Sequence, residues 1–125
     1  MSNIKYNEEQ EAYELPYKMW DKSIIVRFYT DAEETIIDNL SEIAVKLETI
    51  NGSKKRLARM IADEGLYEGA GETLAKELIM DSIYVDIDDG EIVVCFVVSS
   101  EDGYMMPLNV ELYGSDLEIT GETNY

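Results

Sequence analysis

The spacing of apolar residues changes period twice along this chain, and that switch limits the folds open to it more than any other feature. From Lys22 to Tyr29 β-branched and aromatic residues dominate, and Ile24, Val26 and Phe28 fall on one side of an alternating pattern, which predicts a strand. The next stretch steps by three and four through Ile36, Leu40, Ile43, Ala44, Leu47 and Ile50, the spacing of one helix face. Thr30-Asp31-Ala32-Glu33 supplies a capping box at its start, and Asn51-Gly52 a left-handed stop at its end. A second helix is expected from Lys54 to about Glu64, capped by Ser53, ended by Gly65 and turning Leu57, Met60 and Ile61 inward. A third and shorter one is expected over about Glu72 to Met80, using Leu74, Leu78 and Ile79.

From Ser82 the period returns to two. Ile83, Val85 and Ile87 alternate with Tyr84, Asp86 and Asp88, and Asp89-Gly90 then gives the strongest short-range hairpin signal. Ile92 to Val98 is apolar on both faces and suits a central strand. Pro107 opens a strand from Leu108 to Tyr113, and Gly114-Ser115-Asp116 turns into another from Leu117 to Thr120. The expected fold is therefore α+β: a strand, two to three helices, then an antiparallel β-meander, with the helices packed on one face of the sheet. At 125 residues with 46% hydrophobic content there is material for one core, and residues 22–125 are expected to form a single domain. Residues 1–21 are polar, acidic and aromatic, with Tyr6, Tyr13, Tyr17 and Trp20 among Glu8, Glu9, Glu11 and Glu14. They are expected to form an acidic, aromatic arm, either loosely held or an edge element anchored by its rings.

Charge narrows the function. Twenty-seven Asp and Glu stand against ten Lys and Arg, a net charge of −17, so a phosphate backbone would be repelled by most of this surface. Beyond Lys76 there is no basic residue in 49 positions, while twelve acids accumulate there, a local balance of −12. Such a field costs stability by self-repulsion, yet it steers a basic partner. Acidity for solubility alone is the competing explanation.

The chain has no histidine, which removes the commonest general base, Ser-His-Asp and Cys-His arrangements and most zinc sites. Cys95 is the single cysteine and lies in Val93-Val94-Cys95-Phe96-Val97-Val98, a setting for a buried strand and not for an activated nucleophile. One cysteine forms no internal disulfide, and the N-terminus lacks the apolar stretch of a secretory signal, so a cytoplasmic protein without membrane association is expected.

Other groupings admit local readings. Asp86-Ile87-Asp88-Asp89-Gly90-Glu91 clusters oxygens as calcium loops do, but its third acid comes one residue early and position 96 is Phe where the loop needs Glu. A solvated hairpin tip is the expected reading, and the same holds for Ser99-Ser100-Glu101-Asp102-Gly103. Gly65, Gly69 and Gly71 lack the Gly-Lys-Ser/Thr of a phosphate loop and suit a helix-to-helix connection. Lys54, Lys55, Arg56 and Arg59 form the one basic cluster, expected to balance charge or to orient a partner.

The block from Ser82-Ile83-Tyr84-Val85-Asp86 through Asp89-Gly90-Glu91 to Leu108-Asn109-Val110-Glu111-Leu112 and Leu117-Glu118-Ile119-Thr120-Gly121 resembles small bacterial domains of unknown function. Similar domains occur among immunity proteins of polymorphic and contact-dependent toxin systems. The resemblance implies a non-enzymatic protein without a cofactor or metal that neutralises a basic toxin or nuclease domain by binding it. Alternatives are an acidic decoy that imitates nucleic acid to occupy a DNA-binding or restriction protein, and a carboxylate enzyme or divalent-metal binder built on the 86–91 turn. For a partner-binding surface the alternation selects Tyr84, Asp86, Asp88, Glu111 and Tyr113, which point away from the aliphatic face. Nine tyrosines could supply contact area there. An exposed strand edge would also permit a homodimer.

Overall fold

Seven strands lie side by side in chain order, and only one neighbouring pair runs parallel. The structure, a computed structural model, describes residues 4–103, 105–113 and 116–122. In sequence order the elements are β1 (Lys5–Asn7), β2 (Ala12–Met19), β3 (Lys22–Tyr29), α1 (Glu33–Asp38), α2 (Leu40–Asn51), α3 (Lys54–Asp63), α4 (Gly71–Glu77), β4 (Leu78–Asp88), β5 (Glu91–Ser100), β6 (Leu108–Tyr113) and β7 (Asp116–Glu122). Over the described residues the fold is α+β with a mixed sheet and four helices. β4 to β7 pair antiparallel through successive neighbours, as do β1 to β3. β3 and β4 pair parallel, Val26 opposite Ile83 and Tyr29 opposite Asp86. A parallel pair cannot be closed by a hairpin and needs a long crossover, and here the four helices provide it.

Within residues 1–21, which the sequence left open between arm and edge element, residues 5–7 and 12–19 are strand. β2 pairs along almost its whole length with β3, from Tyr13 opposite Phe28 to Met19 opposite Lys22. β1 covers only residues 12–14 of β2, so Pro16, which has no N–H to donate, lies where the strand is already an edge. The β2–β3 turn is Trp20-Asp21, with φ of 51° and 64°, the left-handed pair that tight hairpins need and that Gly usually supplies. Burial offsets the strain. Trp20 is 9% exposed, its backbone N–H donates to Asn51 Oδ1 at 2.9 Å, and its indole N–H donates to the Ile50 carbonyl at 3.2 Å.

Helix ends depart from expectation in five places. The Thr30 capping box is not used: α1 starts after Ala32 with no side-chain cap. What was expected as one helix is broken at Asn39, whose side chain donates to the Thr35 carbonyl at 2.7 Å, the local competition that makes Asn a poor interior residue. Gly52 is no left-handed stop, since its φ is −83°; the chain passes directly into α3, and it is Gly65, at φ 76°, that carries the left-handed turn after it. Ser53 makes no side-chain cap for α3, because its hydroxyl donates back to the Thr49 carbonyl. Finally, α4 ends at Glu77, and Leu78, Ile79 and Met80 belong to β4, paired with Ser100, Ser99 and Val98. A free strand end on β5 outweighs the helical preference of Leu-Ile-Met, which periodicity alone does not resolve. The Asp89-Gly90 hairpin is as expected, with φ of 51° and 81°. The Gly114-Ser115 turn lies outside the described residues.

Alternate strand positions join the helices in one buried cluster. Val26, Phe28, Ile83, Val85, Val94, Phe96, Val110 and Leu112 come from the sheet, and Ile36, Ile43, Leu47, Ile50, Leu57, Ile61 and Leu74 from the helices. Truncating a fully enclosed member such as Phe28 leaves a cavity that typically costs about 3–5 kcal/mol. Among the described residues no helix is long and apolar enough to cross a membrane.

Candidate partner-binding face

Because a strand turns successive side chains to opposite faces, the strand positions between the core residues share the other side of the sheet. Register places them in rows. One row runs Lys5, Glu14, Arg27, Tyr84, Cys95, Glu111, Glu118 across all seven strands. A neighbouring row contains Tyr29, Asp86 and Val93, and Asp88 faces Glu91 at the hairpin tip. The face changes sign along its width, with Lys5, Lys18 and Arg27 on β1 to β3 and acids alone on β4 to β7. Arg27 is already engaged by Glu14 at 3.1 Å, and Glu14 also accepts from the Asn7 amide at 3.3 Å.

Four of the five residues selected from sequence are drawn close by this register. Tyr84 is half-buried and its ring meets Tyr29 edge-on, with centroids 5.9 Å apart. Cys95, between Tyr84 and Glu111, donates its thiol to Glu111 Oε1 at 3.5 Å. The Tyr113 hydroxyl donates to the other oxygen of Glu111. Asp86 is exposed in the next row, whereas Asp88 stands further out, at the hairpin tip, opposite Glu91. Sequence reasoning missed Tyr29 and Cys95 as members. Alternation in β3 does turn Tyr29 away from Val26 and Phe28, but only the parallel β3–β4 pairing puts it against Tyr84.

The electrostatics of the face are those of crowded acids. Burial, helped by the charge of Glu111, pushes the Cys95 thiol up to about 11. It therefore stays protonated near neutrality and is a hydrogen-bond donor, not a nucleophile. The hydrogen bond that the Tyr113 hydroxyl donates to Glu111 is the first cause that raises Tyr113 to about 12, with further push from the charges of Glu111 and Glu118. Tyr84 is raised by burial first and then by Cys95. Two like-charged pairs stand directly opposite one another, Asp88 with Glu91 and Glu111 with Glu118, an arrangement that destabilises a sheet. Among the described residues no three His, Cys, Asp or Glu side chains are grouped to hold a metal ion.

No protein-family model, curated protein or solved structure matches the chain.

Proposed function

We propose that this protein is a non-enzymatic, cytoplasmic binding protein that neutralises a basic toxin or nuclease domain, as an immunity protein does, by docking it on the open sheet face. The supporting observation is the pair of uncompensated carboxylate oppositions, Asp88–Glu91 and Glu111–Glu118, on the same side as Tyr29, Tyr84 and Tyr113. Opposed like charges lower the stability of the free protein. A partner that brings Lys and Arg relieves them on binding, while the tyrosine rings supply contact area at low entropy cost. On this reading the helices cover one face of the sheet and leave the other to the partner. Tyr84, Asp86, Glu111 and Tyr113 form the centre of the interface, and Asp88 lies at its rim.

The test is titration with a candidate basic toxin domain taken from the reading frames beside this protein's gene, following both inhibition of the toxin and the association rate. Inhibition at equal stoichiometry, with association slowing about tenfold or more as salt rises from low to about 0.15 M, supports the reading. A toxin that keeps its activity in the presence of saturating protein, or an association rate indifferent to salt, defeats it.

A further inference from the structure

Six of the ten basic residues of this acidic chain gather at one corner, around three adjoining recesses. The first, of about 480 Å³, is bounded by Lys18, Trp20, Asp21, Asn51 and Lys54. A narrow one of about 60 Å³ shares Lys54 and adds Lys22 and Lys76. The largest, of about 710 Å³, shares Lys76 and runs between α3 and α4 past Lys55 and Arg59. Its volume lies within the usual range of ligand sites. Ala62, Ala70, Gly71 and Ala75 supply small side chains to its lining, and the helices approach closely there: a Cβ on Gly71 would lie 3.2 Å from Arg59 Cα. That close approach holds α3 and α4 together along the groove.

Charge identifies what fits it. Four carboxylates line the three recesses, Asp21, Asp63, Glu72 and Glu101, and Glu101 is taken by Lys22 at 3.0 Å. Among the described residues Lys55, Arg59 and Lys76 have no carboxylate within 4.0 Å, on a chain that carries 27 acids. Lys54 is held over the Trp20 ring, 5.9 Å from its centroid. With internal carboxylates so plentiful, cations left without one face outward to an anion.

We infer that the α3–α4 groove and the adjoining Trp20 recess dock an acidic, extended peptide segment of a protein partner. A nucleic acid carries one charge every few ångströms and would meet the −17 of the whole chain, whereas a short acidic peptide presents a few carboxylates to this corner alone. The surface shares only Lys18 with the open sheet face, and the variants that test it, at Arg59 and Lys76, leave that face unchanged.

The experiment is fluorescence anisotropy of a dye-labelled short polyglutamate peptide at low salt, with an oligothymidylate of equal charge as competitor. Saturable binding is expected, weakened about tenfold or more by Arg59→Glu with Lys76→Glu. The control is Lys5→Glu with Lys46→Glu, which changes net charge equally but elsewhere and should alter affinity by less than about twofold. Circular dichroism and Trp20 emission verify folding, and Arg59→Gln with Lys76→Gln repeats the test should the reversal disturb it. Absence of saturable peptide binding, equal loss in both charge-reversed variants, or displacement by oligothymidylate at lower concentration than by unlabelled peptide each overturns the inference. So does self-association of the chain that the Arg59/Lys76 variant abolishes, because the occupant would then be a second copy.

Discussion

Replacing Glu118 by Lys should make the free protein more stable. Glu118 is exposed on β7 and stands directly opposite Glu111 on β6. Side chains so paired keep their charges roughly 6 Å apart, where two unit charges repel by about 0.7 kcal/mol in a water-like dielectric and more strongly close to protein. Lys at this position replaces that repulsion by an attraction of similar size, less the entropy of ordering a long side chain, for a net gain of about 1 kcal/mol. Glu118→Gln removes the repulsion alone and should yield about half as much. Urea unfolding followed by emission of Trp20, the single tryptophan, measures both variants. Raising salt to about 1 M, where screening acts within a few ångströms, should shrink the differences. A second readout is the Tyr113 phenol, which Glu118 helps to hold up and whose titration should move down in the Lys variant. If Glu118→Lys lowers stability, or if the Gln and Lys variants agree at all salt concentrations, charge opposition is not a cost in this sheet.

Other expectations follow from the same structure. Asp21→Gly relieves one of the two left-handed positions of the β2–β3 turn and should raise stability by about 1 kcal/mol in the same unfolding assay; a loss would mean that the Asp21 side chain holds the turn. Cys95, with its thiol pushed up to about 11, should react with a soluble disulfide reagent near neutrality roughly tenfold more slowly than a free cysteine, the scarcity of thiolate being partly offset by its greater nucleophilicity; a rate equal to the free thiol would contradict the geometry at Glu111. The same group contributes to alkaline unfolding. Its folded value lies above the usual 9.0, so its contribution is complete below about pH 9 and is lost as pH rises towards about 11. Cys95→Ser should flatten stability across that window when unfolding is measured at stepped pH, and an unchanged slope would assign the loss to the tyrosines.

Much of this architecture is legible in residues whose environment is set locally. β3 and β6 appear where alternation and a flanking Pro107 or Lys22 place them, and Asp89-Gly90 closes its hairpin because those residue types tolerate positive φ. Helix boundaries were harder, because Asn39 offers the backbone a competing bond and Leu78 to Met80 answer to a strand partner brought from twenty residues away. β2 carries a readable alternation, Tyr13, Leu15, Tyr17 and Met19 against Glu14, Pro16 and Lys18, but Pro16 and the density of charge obscure it. Of the candidate site, the outward set on β4 and β6 was legible from the period of two. The share of Tyr29 and Cys95 was not, since it depends on which strands become neighbours, and nothing local to β3 encodes a parallel pairing with β4 across four helices. The basic corner is likewise a product of tertiary proximity: Lys18 and Lys22 reach Lys54 and Lys76 only because the Trp20 turn is pinned to the end of α2.

The proposed docking of a basic protein on the open sheet face is tested most directly by measuring affinity for a basic toxin domain that the parent protein binds, with Tyr84→Ala and Tyr113→Ala each verified as folded. Tyr84 is held by Tyr29 and Tyr113 by Glu111, so both present a fixed ring, and truncation of such an anchor should weaken binding by about 2 kcal/mol or more. Binding within about 0.5 kcal/mol of the parent for both variants would place the partner elsewhere on the molecule and contradict the account.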